Sequence, residues 1–128
     1  MNFIIMEKGN NFCEKLHNHS KNSEEMLKNM PPIKSFENAS NTFQLISDPT
    51  RLKILWLLCH LELCVNDIAI STKMTSPAVS HHLKLLKQTG LIESRRNGKE
   101  MFYKLSDTAE SKLVHKAIDD ILDIKCPK

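Results

Sequence analysis

A mostly α-helical domain with one small β-hairpin is what this sequence predicts, and three observations predict it. Apolar residues recur at helical spacing through five successive segments between Ser35 and Ile124. Most of these segments open on a capping residue, and two carry a proline in their first turn, at Pro49 and Pro77. The period changes once, in a basic stretch around Asn97-Gly98, a dipeptide that signals a tight turn between strands.

Residues 1–33 are polar, rich in Asn, Lys and Glu, and closed by Pro31-Pro32. They read as a flexible arm ahead of a domain spanning 34–128, because no helix carries two prolines through its interior. Ser35 is a plausible cap for a first helix over about 35–47, with Phe36, Ala39, Phe43 and Ile46 on one face. Asp48-Pro49 offers a cap and a first-turn proline for a second helix to about His60. Its Leu52, Ile54, Leu55, Trp56, Leu57 and Leu58 leave no polar face, so burial is expected. A short third helix fits Cys64 to about Ser71, turning Val65, Ile68 and Ala69 inward, with a break near Met74. A fourth starts at Thr75-Ser76 and runs through Val79, His82, Leu83 and Leu86 to Thr89-Gly90. Two short helices joined by a tight turn make a helix-turn-helix candidate. Leu91–Arg95 and Glu100–Leu105 then flank the turn as a basic two-stranded wing. Asp107 through Glu110 resembles a capping box opening a last helix, with Leu113, Ala117, Ile121 and Ile124 on one stripe. That stripe has little core left to cover and is a candidate dimer surface. The whole order describes a dimeric winged helix-turn-helix.

Composition narrows the function classes. With 128 residues, 41% of them hydrophobic, the chain supplies one core and little beyond it. Met1–Met6 is too short for a signal peptide, and no run approaches the ~18 apolar residues of a membrane span, so a cytoplasmic protein without a membrane partner is expected. In a reducing cytosol the cysteines at 13, 59, 64 and 126 do not read as a disulfide framework, which leaves metal binding for at least two of them. Net charge is +3, but Thr72–Leu105 holds seven basic residues against two acidic ones. A basic stripe confined to one segment points to a polyanion partner, with an ordinary solvated face as the alternative. No Gly-rich phosphate loop, His-Glu-x-x-His or Gly-x-Ser-x-Gly occurs, so neither an enzyme nor a small-molecule substrate is expected.

Three local stretches carry a resemblance over roughly Ser35 to Cys126: Asp48-Pro49-Thr50-Arg51-Leu52-Lys53-Ile54-Leu55, Glu62-Leu63-Cys64-Val65-Asn66-Asp67-Ile68-Ala69, and Ala78-Val79-Ser80-His81-His82-Leu83-Lys84-Leu85-Leu86. The chain resembles the ArsR/SmtB metal-sensing repressors. That resemblance implies a homodimer reading a twofold-symmetric operator in double-stranded DNA. It places Ser76, Ser80 and His81 of the helix after the turn on bases or phosphates, and Arg95, Arg96 and Lys99 of the wing on phosphates. Pro77 stands where the family often has a polar residue. His82 reads as packed interior.

For metal, Cys13 and His17 at i, i+4 and Cys64 and Asp67 at i, i+3 make a thiolate, imidazole and carboxylate set suited to Zn(II) and to softer Cd(II). The resemblance makes this specific, since members with Cys-x3-His in the arm and Cys-x2-Asp in the third helix bind metal there across the dimer. His19 is a spare imidazole. Taken alone, Cys64 reads equally as a small buried residue, Asp67 as a first-turn acid, and the arm pair as unused. The family's other common site, on the terminal helix, falls on Asp107, Ala109, Asp120 and Asp123, which lack its two histidines. His115 with Asp119 is a weaker substitute. Cys59 reads as core and Cys126 as a tail thiol. The function expected is repression relieved by Zn(II) or Cd(II), controlling metal resistance or efflux genes; the alternative is a redox-sensing repressor using Cys59, Cys64 and Cys126.

Overall fold

The structure, a computed structural model, describes residues 21–124. The chain forms two units, residues up to Glu37 and residues from Asn38 onward. In the first, α1 spans Lys21–Lys28, inside the stretch read as an arm, with Glu24 in its first turn and Lys28 in its last, both favoured by the helix dipole. Helix α2, Ile33–Ile46, begins directly after Pro32, whose carbonyl accepts from the Ser35 N–H at 2.9 Å. Ser35 therefore lies within the first turn and is not its cap.

The second unit is built on α3, Pro49–His60. Asp48 caps it, its carboxylate accepting from the Arg51 N–H at 3.0 Å, and Pro49 sits where no N–H is needed. That backbone bond, reinforced by the charges of Arg51 and His82, holds the Asp48 carboxyl below the usual carboxylate range. The Arg51 guanidinium donates to the Leu45 carbonyl of α2, and its Nη1 lies 3.5 Å from His82 Nδ1. Burial of α3 is less complete than its sequence implies. Ile54, Leu55 and Leu58 are sealed, Trp56 and Leu57 are half-buried, and Leu52 faces out, because the neighbouring helices close over one side only.

A two-residue strand, β1 (Leu63–Cys64), leads into α4, Val65–Thr72. Lys73 turns the chain through a left-handed conformation (φ 58°), and α5, Ser76–Lys87, starts at a Thr75 cap that accepts from the Ala78 N–H. Strands β2 (Ile92–Asn97) and β3 (Glu100–Leu105) form the wing, joined at Gly98, whose positive φ of 68° a side chain would strain. The hairpin expected from Asn97-Gly98 is thus present, and it gains a third strand: β1 pairs antiparallel with β3, Leu63 opposite Tyr103 and Cys64 opposite Phe102. Sheet order is β1-β3-β2.

The last helix, α6, spans Ala109–Leu122. Its cap is Thr108, which accepts from the Ser111 N–H at 3.1 Å, and not Asp107, which is exposed and paired with Lys112. Ser111 is fully buried and donates to the Leu91 carbonyl, so α6 is pinned to the start of the wing. Ile118 and Val114 meet the core while Leu113, Ile121 and Leu122 stay exposed. Among the described residues no helix is long and apolar enough to cross a membrane.

The core joins Ile54, Leu55 and Leu58 of α3 to Ile68 of α4 and to Val79, Leu83 and Leu86 of α5. Leu83 is 1% exposed. Leu83→Ala should therefore lower unfolding free energy by about 2–5 kcal/mol, read as a fall in the urea midpoint at unchanged slope; a midpoint within error of the parent would refute its place in the core.

Candidate nucleic-acid interface and metal site

Helix α5 is two-faced. Val79, Leu83 and Leu86 point into the core, which leaves Ser76, Ser80, His81, Lys84 and Lys87 exposed along the other side. Ser76, Ser80 and His81 thus share a free surface. His82, read from sequence as interior, is half-buried against Arg51. Lys87 Nζ donates to Ser94 Oγ at 2.9 Å, linking α5 to the wing.

The wing's cations are not equivalent. Arg95 makes two bonds to Glu62, 2.6 and 3.1 Å, and lies over the Phe102 ring at 5.5 Å. The bidentate bond holds the Glu62 carboxyl below its ordinary range and raises Arg95 further. Among the described residues, no carboxylate lies within ion-pair distance of Arg96 or Lys99 at the hairpin tip. Sequence reasoning missed Glu62, since nothing in its spacing announces a partner 33 positions away.

Cys64 and Asp67 come together at the start of α4. Cys64 is both the last residue of β1 and the α4 cap, and it is 5% exposed; Asp67 sits in the first helical turn at the surface. Pairing of β1 with β3 also brings Glu100 diagonally across from Cys64. A hydrogen bond from the thiol to the Glu100 carboxylate, then burial, raise the Cys64 pKa. The Asp67 and Asn66 N–H groups pull the other way, while the Asp67 side chain adds to the rise. Glu100 was invisible as a neighbour because β1 was not foreseen. A buried thiol flanked by two carboxylates is a donor set that suits Zn(II) or Cd(II) once the thiol loses its proton. Cys13, His17, His19 and Cys126 lie outside the described residues.

On α6, Asp120 is bound to Lys116 at 3.0 Å and Asp123 caps the helix in a left-handed conformation. His115 Nε2 stands 3.1 Å from Asp119 Oδ2. Cys59 is half-buried at the end of α3.

The profile described as "Bacterial regulatory protein, arsR family" matches residues 48–94, from the α3 cap into the wing. The transcriptional repressor SmtB homolog of Synechocystis sp. is 32% identical over 101 residues, covering 77% of this chain and 76% of that protein. This chain belongs to the ArsR/SmtB family. A cadmium resistance transcriptional regulatory protein CadC homolog of Staphylococcus aureus is 40% identical over 81 residues, 62% of this chain and 67% of its own. The homodimeric winged helix-turn-helix DNA-binding domain of Mb0332 from Mycobacterium bovis shares the fold at TM-score 0.61 and 24% identity, covering 84% of this chain and 91% of that one. As an ArsR/SmtB member the chain is a DNA-binding transcriptional repressor with metal-responsive relatives, and not an enzyme.

Because Glu100 is the foremost cause of the raised Cys64 pKa, Glu100→Gln should bring that pKa down and speed alkylation of Cys64 by iodoacetamide at pH 8. In the parent, the stability owed to the protonated thiol is present below the ordinary thiol pKa and lost as pH rises through the higher folded value. Peptide mapping of the alkylated cysteine reads the rate; an unchanged rate in the variant would show that Glu100 does not control the thiol.

Proposed function

We propose that this ArsR/SmtB repressor binds operator DNA as a homodimer and releases it when Zn(II) or Cd(II) binds, switching on metal resistance or efflux genes. Residues 34–128 serve as the DNA-binding and dimerisation domain and residues 1–33 as the metal-binding arm. Cys13 and His17 of the arm join Cys64 and Asp67 around the ion. Ser76, Ser80 and His81 read or clamp DNA from α5, while Arg95, Arg96 and Lys99 meet phosphates from the wing.

The observation that carries this reading is the place of Cys64. It joins β1 to α4, and α4 packs against the DNA-facing α5. A ligand pulling on Cys64 and Asp67 therefore strains an element that packs directly on α5, and also the sheet that holds the wing. A coupling of about 1–3 kcal/mol is enough for metal to weaken operator binding 5- to 150-fold. The raised Cys64 pKa weighs against a redox sensor, since a protonated thiol is a poor nucleophile.

For the dimer, Leu113 and Ile121 stand 68% and 82% exposed on α6. Ile121 also lines an apolar groove of about 420 Å³ between α3 and α6, together with Pro49, Leu52, Lys53, Ile118 and Leu122. Such a face is what a second copy of the chain would cover.

Cys64→Ser should abolish metal-induced release while the metal-free protein still binds operator, measured by fluorescence anisotropy with and without Zn(II). Release at parental metal concentration in Cys64→Ser would remove the thiolate from the sensor. Glutamate at both Leu113 and Ile121 should give monomers by analytical ultracentrifugation, with operator affinity at least tenfold weaker; a persistent dimer would place the interface elsewhere.

A further inference from the structure

One cluster of metal-type ligands belongs neither to the arm site nor to the DNA face. Three residues from the end of α3 and the middle of α6 converge: His60, His115 and Asp119, each able to offer one ligand atom, with those atoms all within 4.8 Å of one another. His115 Nε2 and Asp119 Oδ2 are 3.1 Å apart, one helical turn from each other on α6. The His60 and His115 rings meet edge to face with centroids 4.9 Å apart. The group is partly screened from water, with side-chain exposures of 25% for His115 and 12% for Asp119.

We propose that His60, His115 and Asp119 form a second metal site, held within one protomer, that takes a borderline divalent first-row ion such as Zn(II) and ties α6 to the end of α3. Two imidazoles and a carboxylate, with a water in the remaining position, are a recurrent Zn(II) donor set. Bonds of about 2.0–2.2 Å set tetrahedral donors roughly 3.3–3.5 Å apart. His115 and Asp119 already stand at about that separation, so closure asks only for a small shift of the His60 ring. The absence of sulfur disfavours softer ions, which separates this site in metal preference from one built on thiolates. The two sites share no residue, and this one stands or falls independently of the arm. Sequence spacing suggested only the His115 and Asp119 half; His60 lies 55 positions earlier and arrives through the packing of α3 on α6.

The molecule carries its own reporter. Trp56, its single tryptophan, contacts the His60 ring at a centroid distance of 4.8 Å. The test uses the full chain with Cys13→Ser and Cys64→Ser, so that no arm thiolate competes, titrated with Co(II). We expect one Co(II) per chain with tetrahedral ligand-field bands, free of thiolate charge transfer, and quenching of Trp56 emission in step with binding. Adding His60→Gln or His115→Gln should lower Co(II) affinity at least tenfold and abolish the quenching, with circular dichroism confirming that the helices persist. The Cys13→Ser, Cys64→Ser chain supplies a second measurement: on adding Zn(II), the ring nitrogen resonances of His60 and His115 should shift while those of His81 and His82 stay put. Failure of the Cys13→Ser, Cys64→Ser chain to retain Co(II), retention undiminished by the histidine changes, or Zn(II) shifts that spare His60 and His115 would each overturn the site and leave a plain histidine-carboxylate ion pair.

Discussion

Most of the second unit leans on the buried ridge of α3. Ile54, Leu55 and Leu58 occupy successive turns on one face, and α4, α5, α6 and β3 all pack against that helix. Interiors are close-packed, so an element resting on this ridge cannot shift without disturbing the others. The ends of α3 are where polar chemistry begins. At its start Asp48 and Arg51 lock the entry from α2 and reach His82 on α5; at its finish His60 meets α6. One apolar helix thus sets the distance between α5, with its proposed DNA face, and the terminal helix.

The second constraint is the short pairing of β1 with β3. Two residues of strand are a weak element alone, yet they make Cys64 part of three structures at once: the sheet, the α4 cap and the cluster with Glu100 and Asp67. A side chain so placed transmits any change in its protonation or ligation to both the wing and the helix-turn-helix. In the proposed sensor this is what lets an ion bound beside α4 act on α5 without touching DNA. The proposed His60 site would act on a different joint, the seat of α6, and hence on whatever face α6 offers to a second copy.

The wing shows how local pairing sorts charges of the same sign. Arg95 is bound twice by Glu62 and backed by Phe102, so its guanidinium is held in place, and moving it to phosphate would cost that pair. Arg96 and Lys99, at the tip beyond that pair, keep their charge available for the phosphate contacts proposed for the wing, the kind of contact that releases counterions from DNA. A basic count along the sequence treats the three alike; the pairing with Glu62 distinguishes them.

Much of this architecture was legible before any coordinates. The periodicity of the helices, the Asp48-Pro49 and Thr75-Ser76 starts and the Asn97-Gly98 turn are local signals, since caps, prolines and left-handed turns act within a few residues of themselves. Cys64 and Asp67 were legible for the same reason, being one helical turn apart. The errors were also local in origin: Ser35 and Asp107 have capping chemistry, but Pro32 and Thr108 stand nearer the true helix starts. What only the tertiary structure decided depends on residues far apart in the chain. The β1 strand is too short to show a pattern, and it exists because β3 offers it a free edge. Glu62 against Arg95, Glu100 against Cys64, and His60 against His115 are each brought together by packing, and a one-dimensional pattern carries no record of which distant side chains the core will set side by side.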